Sequence, residues 1–368
     1  MEPVISKLSE EANVLKFTVN GLNVSFANGL RRIILSEVPT VVFRTTPHEK
    51  CLATFEINTT RLNNELIKQR LSCIPIHITD VDFPFKDYQM EVNKKNEGDA
   101  IEFVTTGDFK LKNIVTGTYL SKAETDKVFP PNPLTGNHID FVRLRPRISA
   151  DIDGEQLKLT CLLDIGRAQE DSSFNIVSTC AYGNTPDSVK IKSEWTKKAT
   201  EYSKTGVSAA EIEFLHKDWL LLDAKRISIA DSFDFTIETV GPFTNMNIVY
   251  KALHIMLNKL KKFKMTMETE PGLIAKTVTT IENGFDITIP NEGYTLGRVV
   301  EFVLYNNHYG KALTYCGFKK PHPHIDISYL RLGFKDPMEV ASVTSYLLNA
   351  ADEAIKVFMK MEIVFKEK

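Results

Sequence analysis

The chain has 368 residues, 43% of them hydrophobic and 25% charged, a composition that suits two or three globular domains and excludes a collagen-like or disordered chain. A formal net charge of −2 removes the global basic field behind non-specific nucleic-acid binding, so such binding needs a local patch. No stretch approaches the length of an apolar membrane span, and Lys7, Glu10, Glu11 and Lys16 break up the first twenty residues, so a soluble, intracellular protein with no membrane contact is expected.

Taken in order, residues 14–19 alternate like a strand and lead into residues 25–35, SFANGLRRIIL. Phe26, Leu30, Ile33 and Ile34 recur at helical spacing, Asn23 or Ser25 can cap the first turn, and Gly29 sits where a helix keeps glycine mainly for a close approach. Arg31 and Arg32 lie about 100° apart around the axis, so at least one is available to a partner. Residues 41–45 predict a strand. A second strand from Cys51 ends in Asn58, Thr59 and Thr60, any of which could cap a helix over 61–74 with Leu62, Leu66, Leu71 and Ile74 as its buried stripe. Residues 92–99, VNKKNEGD, read as a surface loop, and 141–147 as a strand. DIDGE at 151–155 begins like a calcium loop but lacks the later ligands, so a D-G turn before the strand QLKLTCL explains it better.

The stretch 193–207, rich in Lys, Thr and Ser, is expected to be disordered or exposed. A long helix follows over 246–263, with Val249, Leu253, Met256, Leu260 and Phe263 as its stripe and KLKKFK, Lys259 to Lys264, on the wet side. Residues 265–272 are the best linker candidate. KKPHPH at 319–324 reads as a turn between strands rather than a metal site, since no third ligand accompanies His322 and His324. Cys51, Cys73, Cys161, Cys180 and Cys316 are odd in number, widely spaced and without a C-x-x-C pair, which suits reduced, packed thiols.

Part of this pattern occurs twice. Residues 17–25, FTVNGLNVS, correspond to 287–295, ITIPNEGYT, and SFANGLRRIIL to TLGRVVEFVLY, both at an offset of 270. Downstream, FDFTIETVG from Phe233 matches IDISYLRLG from Ile325 at an offset of 92, aligning Asp234 with Asp326 and Gly241 with Gly333. A long amphipathic helix follows each. The offsets differ by 178 residues, so something domain-sized interrupts the first copy. The expected fold is α+β, two strand–helix units with a β-rich insert.

SFANGLRRIIL resembles the signature helix of the RNA polymerase alpha-type subunits, usually T-L-G-N-A-L-R-R-I-L-L, through Asn28, Leu30, Arg31, Arg32, Ile33 and Leu35. Thr295, Leu296 and Gly297 make the second copy similar to the eleventh-subunit type, with Arg298 where asparagine is usual. Residues 58–75, through Asn58, Thr59, Leu62, Glu65, Ile67, Arg70, Leu71, Ile74 and Pro75, and the Gly166 and Ala168 region resemble the third-largest-type subunit. The whole chain thus resembles a third-largest-type subunit fused to an eleventh-type subunit, as in the polymerases of large DNA viruses.

The resemblance implies two alpha-like dimerisation modules forming an intramolecular pseudo-dimer. The first would comprise residues 1–46 and 222–264, the insert 47–221, the linker 265–272 and the second module 273–368. It implies a non-catalytic assembly platform of a DNA-directed RNA polymerase, with the largest and second-largest subunits and small accessory subunits as partners and DNA reached only through the complex. Asn28, Arg31, Arg32, Leu35, Thr295, Leu296, Gly297 and Arg298 would carry partner contacts, with Arg32 on the second-largest subunit. No catalytic residue, metal or cofactor is expected, and relatives' cysteine cluster near residues 92–99 is not carried over. A viral member would occupy the virion and host cytoplasm or nucleus. The rival readings are a stand-alone nucleic-acid binder using Lys259 to Lys264, and an enzyme using His322, His324 or the acids Asp151 and Asp153.

Overall fold

The computed structural model describes residues 1–80, 83–149 and 152–366. In chain order the elements are β1 (Val4–Glu11), β2 (Val14–Asn20), α1 (Val24–Ser36), β3 (Thr40–Phe43), β4 (Ala53–Asn58), α2 (Asn64–Ser72), β5 (Tyr88–Lys95), β6 (Glu102–Thr105), β7 (Lys110–Asn113), α3 (Lys122–Val128), β8 (Asp140–Leu144) and β9 (Gln156–Gly166). They continue with β10 (Val177–Pro186), α4 (Ser188–Lys204), α5 (Ala209–Leu221), β11 (Ser228–Thr239), α6 (Asn245–Thr269), β12 (Ile274–Lys276), β13 (Gly284–Pro290), α7 (Tyr294–His308), β14 (Leu313–Lys319), β15 (Ile327–Phe334) and α8 (Val340–Phe365). The chain forms two compact units, residues 1–34, 179–238 and 245–368 in the first, and 35–178 with 239–244 in the second.

Unit one contains two four-stranded sheets, in the orders β1-β2-β11-β10 and β12-β13-β15-β14. Strict alternation turns Leu15, Phe17 and Val19 of β2 inward, and Phe285, Ile287 and Ile289 of β13 likewise, which preserves the offset of 270. The downstream offset is 95, not 92. Phe17 pairs with Phe235, and Ile287 with Leu330, while α6 and α8 also begin 95 residues apart. At 95 the buried Phe233, Phe235 and Ile237 match the buried Ser328, Leu330 and Leu332; at 92 they would fall on the exposed Ile325, Ile327 and Tyr329. An odd slip in a strand swaps its two faces, so burial decides the register against the aspartate and glycine coincidences. Asp326 precedes β15, whereas Gly333 lies within it and Gly241 follows β11.

Unit two is organised on β9, which pairs with β3 and β4 along one edge and β5 along the other; β7 continues the sheet, and β6 with β8 forms a separate ladder. Its core includes Phe43, Phe109, Phe129 and Phe141, with neighbouring ring centroids 5.4–6.4 Å apart. A Cβ on Gly166 would stand 2.5 Å from the Phe174 ring, so only glycine lets that ring rest on β9. Arg44 lies over the same ring and pairs with Asp164 and Glu170 at 2.5 and 3.0 Å.

Several local expectations change. Asn63, not Asn58, Thr59 or Thr60, caps α2 by accepting from Leu66 N at 2.9 Å; Asn58 instead closes its own turn to Thr60. With that start Ile67 is buried while Leu66 is 46% exposed. The polar stretch 92–99 is not all loop: β5 runs through Lys95, and the fully buried Asn96 donates to Ala100 O and Leu144 O and accepts from Gly98 N. Backbone groups satisfy that amide, which composition could not reveal. Residues 193–204 are helical within α4, where Ser193, Thr196, Thr200 and Ser203 donate to carbonyls three or four residues back, yet no α4 residue is buried. The linker candidate 265–272 is helical to Thr269 because α6 is longer than its obvious stripe, with Met267 still buried.

Candidate functional site

The first signature helix is fixed at its start by Asn23, whose carboxamide accepts from Ser25 N at 2.9 Å. Phe26, Ala27, Gly29, Leu30, Ile33 and Ile34 form its buried face. Gly29 opens a close approach: a Cβ there would lie 3.0 Å from Met256 Cε, 3.4 Å from Thr295 O and 3.6 Å from Val299 Cγ2. Val299 is the position equivalent to Gly29 at the offset of 270, so the two signature helices, α1 and α7, meet at matching residues.

Contacts continue on either side. Phe26 stands edge-on to Phe302 of α7 at 6.3 Å and packs on Phe358 of α8 at 5.1 Å, while Phe17 meets Phe365 edge-on at 5.0 Å. Helices α6 and α8 pack along their apolar stripes, with Ile248, Ala252, Met256, Leu260 and Phe263 buried on one and Val343, Leu347, Ala351, Ala354 and Phe358 on the other. Burying each such large side chain contributes roughly 1.5–3 kcal/mol.

The polar rim is specific. Arg32 donates from Nε to Thr295 Oγ1 at 2.9 Å, so its guanidinium is engaged within the chain. Arg31 donates from Nε and Nη2 to Asn28 Oδ1 at 3.0 and 2.9 Å, and both residues remain half-buried, as does Leu35. Thr295, Leu296 and Gly297 are buried; Gly297 supports the Phe318 ring, which a Cβ would meet at 2.1 Å. Arg298 is exposed and pairs with Glu301. The KLKKFK run is not simply a wet face, since Lys259 pairs with Glu292 at 3.0 Å and Lys264 with Asp352 at 2.5 Å. His254 and Glu362 lie 3.2 Å apart across the same helices. Sequence offers no signal that links the rim acids Glu292 and Asp352 to a distant lysine run.

The other candidate groups lie elsewhere. His322 and His324 occupy a turn between β14 and β15 with rings 5.1 Å apart, and His322 Nδ1 accepts from His324 N. Asp153 pairs with Lys95 at 2.7 Å, while Asp151 is outside the described residues. Among the described residues no group of three or more His, Cys, Asp or Glu could hold a metal ion, and no helix is long and apolar enough to cross a membrane. Burial pushes the thiols of Cys180 and Cys316 up to about 12.

The site is thus a helix-on-helix packing surface framed by two strand–helix units and guarded by ion pairs. The RNA polymerase Rpb3/Rpb11 dimerisation domain family matches residues 16–260, and the chain belongs to it as an alpha-type RNA polymerase subunit. It is similar to the DNA-directed RNA polymerase subunit Rpo3 of Pyrococcus furiosus, at 28% identity over 70% of this chain and 94% of the relative. It is also similar to the DNA-directed RNA polymerases I and III subunit rpac1 of Dictyostelium discoideum, at 27% identity over 69% of this chain and 79% of the relative. The subunit 3B of RNA polymerases IV and V of Arabidopsis thaliana shares 24% identity over 69% and 88% of the two chains.

Proposed function

We propose that this chain is a non-catalytic assembly platform of a multisubunit DNA-directed RNA polymerase, on which the largest and second-largest subunits and small accessory subunits dock. In this reading the two modules form an intramolecular pseudo-dimer, with the first interrupted by a β-rich insert. The module boundaries follow the compact units, so β10 and the α4–α5 hairpin go with the first module. The observation that carries the reading is the meeting of α1 and α7 at Gly29 and Val299, backed by α6 against α8. The fused arrangement, which the resemblance ties to polymerases of large DNA viruses, is supported by lengths: 94% of the archaeal relative aligns with only 70% of this chain, which leaves room for a second module. Fusion fixes a one-to-one ratio and raises the effective concentration of each half to about millimolar.

Within this reading Asn28, Arg31, Leu35 and Arg298 are the signature residues that reach partners directly. Thr295, Leu296 and Gly297 shape the surface from inside, joined from the α1 side by Arg32, which holds α7 through its Nε bond to Thr295 and lies on the face assigned to the second-largest subunit. The paired Lys259 and Lys264 weigh against the nucleic-acid reading of that run. Co-expression with tagged large subunits tests the platform. Arg31→Ala combined with Arg32→Ala should weaken capture of the second-largest subunit by about 2 kcal/mol or more, as for buried charged hot-spot groups, without unfolding the chain. Undiminished capture of both large subunits would refute the assignment.

A further inference from the structure

The two sheets of unit one supply an internal control for each other. On the strand face opposite the apolar one, β11 carries Ser232, Asp234 and Thr236, whereas β15 carries Ile327, Tyr329 and Arg331 at the equivalent positions. On the first sheet Asp234 accepts from the hydroxyls of Thr18 and Thr185 at 2.7 and 2.9 Å, giving a satisfied polar cluster in which Thr18, Thr185 and Ser232 are themselves buried. On the second, Ile327, Tyr329 and the neighbouring Tyr315 of β14 stay 37%, 38% and 43% exposed. An antiparallel sheet with one face on a core ordinarily turns polar residues outward, so the fold does not require this aromatic face.

Tyr315 is also laid down in a particular way. A Cβ on Gly317 would stand 2.7 Å from its Oη and 3.1 Å from Cζ, and one on Gly333 3.2 Å from its Cβ, so the ring runs along β14 over positions kept bare by glycine. Glycine inside a strand weakens it and marks a close approach. Across the two strands Tyr329 lies opposite Lys319, Arg331 opposite Gly317, and Gly333 opposite Tyr315. The two tyrosines are thus four residues apart along the strands, roughly 14 Å, with a guanidinium between them. Arg331 donates to both oxygens of Asp286 at 2.5 and 2.9 Å, which neutralises that carboxylate and leaves Lys319 and its neighbour Lys320 as local positive charge.

We propose that this face of β14 and β15 binds single-stranded nucleic acid, with bases stacked on Tyr315 and Tyr329 and phosphates drawn by Lys319 and Lys320. A flat ring suits a base, which always offers a π face, whereas a protein anchor needs a pocket to enter. Sheet surfaces that present aromatic side chains on adjacent strands read splayed bases by this geometry. The site is separate from the platform role and stands or falls without it.

The test is fluorescence anisotropy of a labelled short oligouridylate with the purified full chain. Tyr315→Ala and Tyr329→Ala should each weaken binding about tenfold, the range expected for one lost stacking partner. Tyr329→Phe should retain binding, because stacking needs the ring and not the hydroxyl, and Lys319→Glu should weaken it with a shallower salt dependence. Capture of the large subunits, measured on the same variants, should not change. Absence of single-strand binding, or equal binding by wild type and both alanine variants, overturns the proposal. So does loss of another polymerase chain from Tyr329→Ala complexes with oligouridylate binding unaltered, which would give the face to a protein.

Discussion

The two strand–helix copies agree where they meet and diverge where they do not. Most inward strand residues keep their apolar character at the offsets of 270 and 95, although Phe233 corresponds to Ser328, and Gly29 of one helix faces Val299 of the other. Away from that contact, Arg31 and Arg32 of α1 correspond to Glu301 and Phe302 of α7, and the polar face of one sheet corresponds to the aromatic face of the other. A homodimer must place identical residues on both sides of its axis. In the proposed pseudo-dimer the covalent link would release that constraint, so that a glycine can take a valine and each sheet face can specialise.

The largest expected break in this comparison comes from the shared core. Phe358→Ala removes a fully buried ring packed on Phe26 and should cost about 3–5 kcal/mol, read by denaturant unfolding. Phe302→Ala, half-buried at the rim, should cost about 1 kcal/mol. The glycines give the next contrast. Gly297→Ala drives a methyl into the Phe318 ring and should destabilise by about 1–3 kcal/mol, although Ala27 occupies the equivalent place in α1. Gly29→Ala crowds the flexible tip of Met256 at 3.0 Å, with Thr295 O and Val299 at ordinary contact distance, and a helix-propensity gain of about 1 kcal/mol offsets that, so it should be near neutral.

A smaller effect sharpens the rim. In a double-mutant cycle Arg32→Ala and Thr295→Val should show a coupling of about 0.5–1.5 kcal/mol, the worth of one hydrogen bond; strict additivity would show that the contact contributes nothing. The smallest is a pH dependence confined to the second sheet. Hydrogen bonding from Arg331 holds the Asp286 carboxyl below its ordinary range, so its contribution is complete above the unfolded-state value and fades as pH falls through the lowered one. Asp286→Asn should remove that part of the acid slope, and Asp234→Asn serves as the comparison at the other sheet.

Much of this was legible in residue pattern. The signature helices, both long amphipathic helices and the offset of 270 follow from apolar spacing, which responds to the same burial that the structure displays. The downstream register was not, because Asp234 and Asp326 or Gly241 and Gly333 align by letter while the face of a strand depends on parity. The partners of Arg32, Lys259 and Lys264 were equally hidden. Each lies in the other copy, and an ion pair leaves no periodicity in sequence. Asn96 read as loop because a buried amide satisfied by three backbone groups has the same composition as a solvated one.

The most direct test is to divide the chain between the copies, expressing residues 1–269 and 273–368 together as separate polypeptides. If the copies are held by surface buried between α1, α6, α7 and α8, the fragments should co-purify one to one without the covalent link, as expected of an obligate interface burying about 2,000 Å² or more. Either fragment alone should aggregate or self-associate through its exposed stripe. Two fragments that remain monomeric and apart when mixed would contradict the pseudo-dimer and the platform built on it.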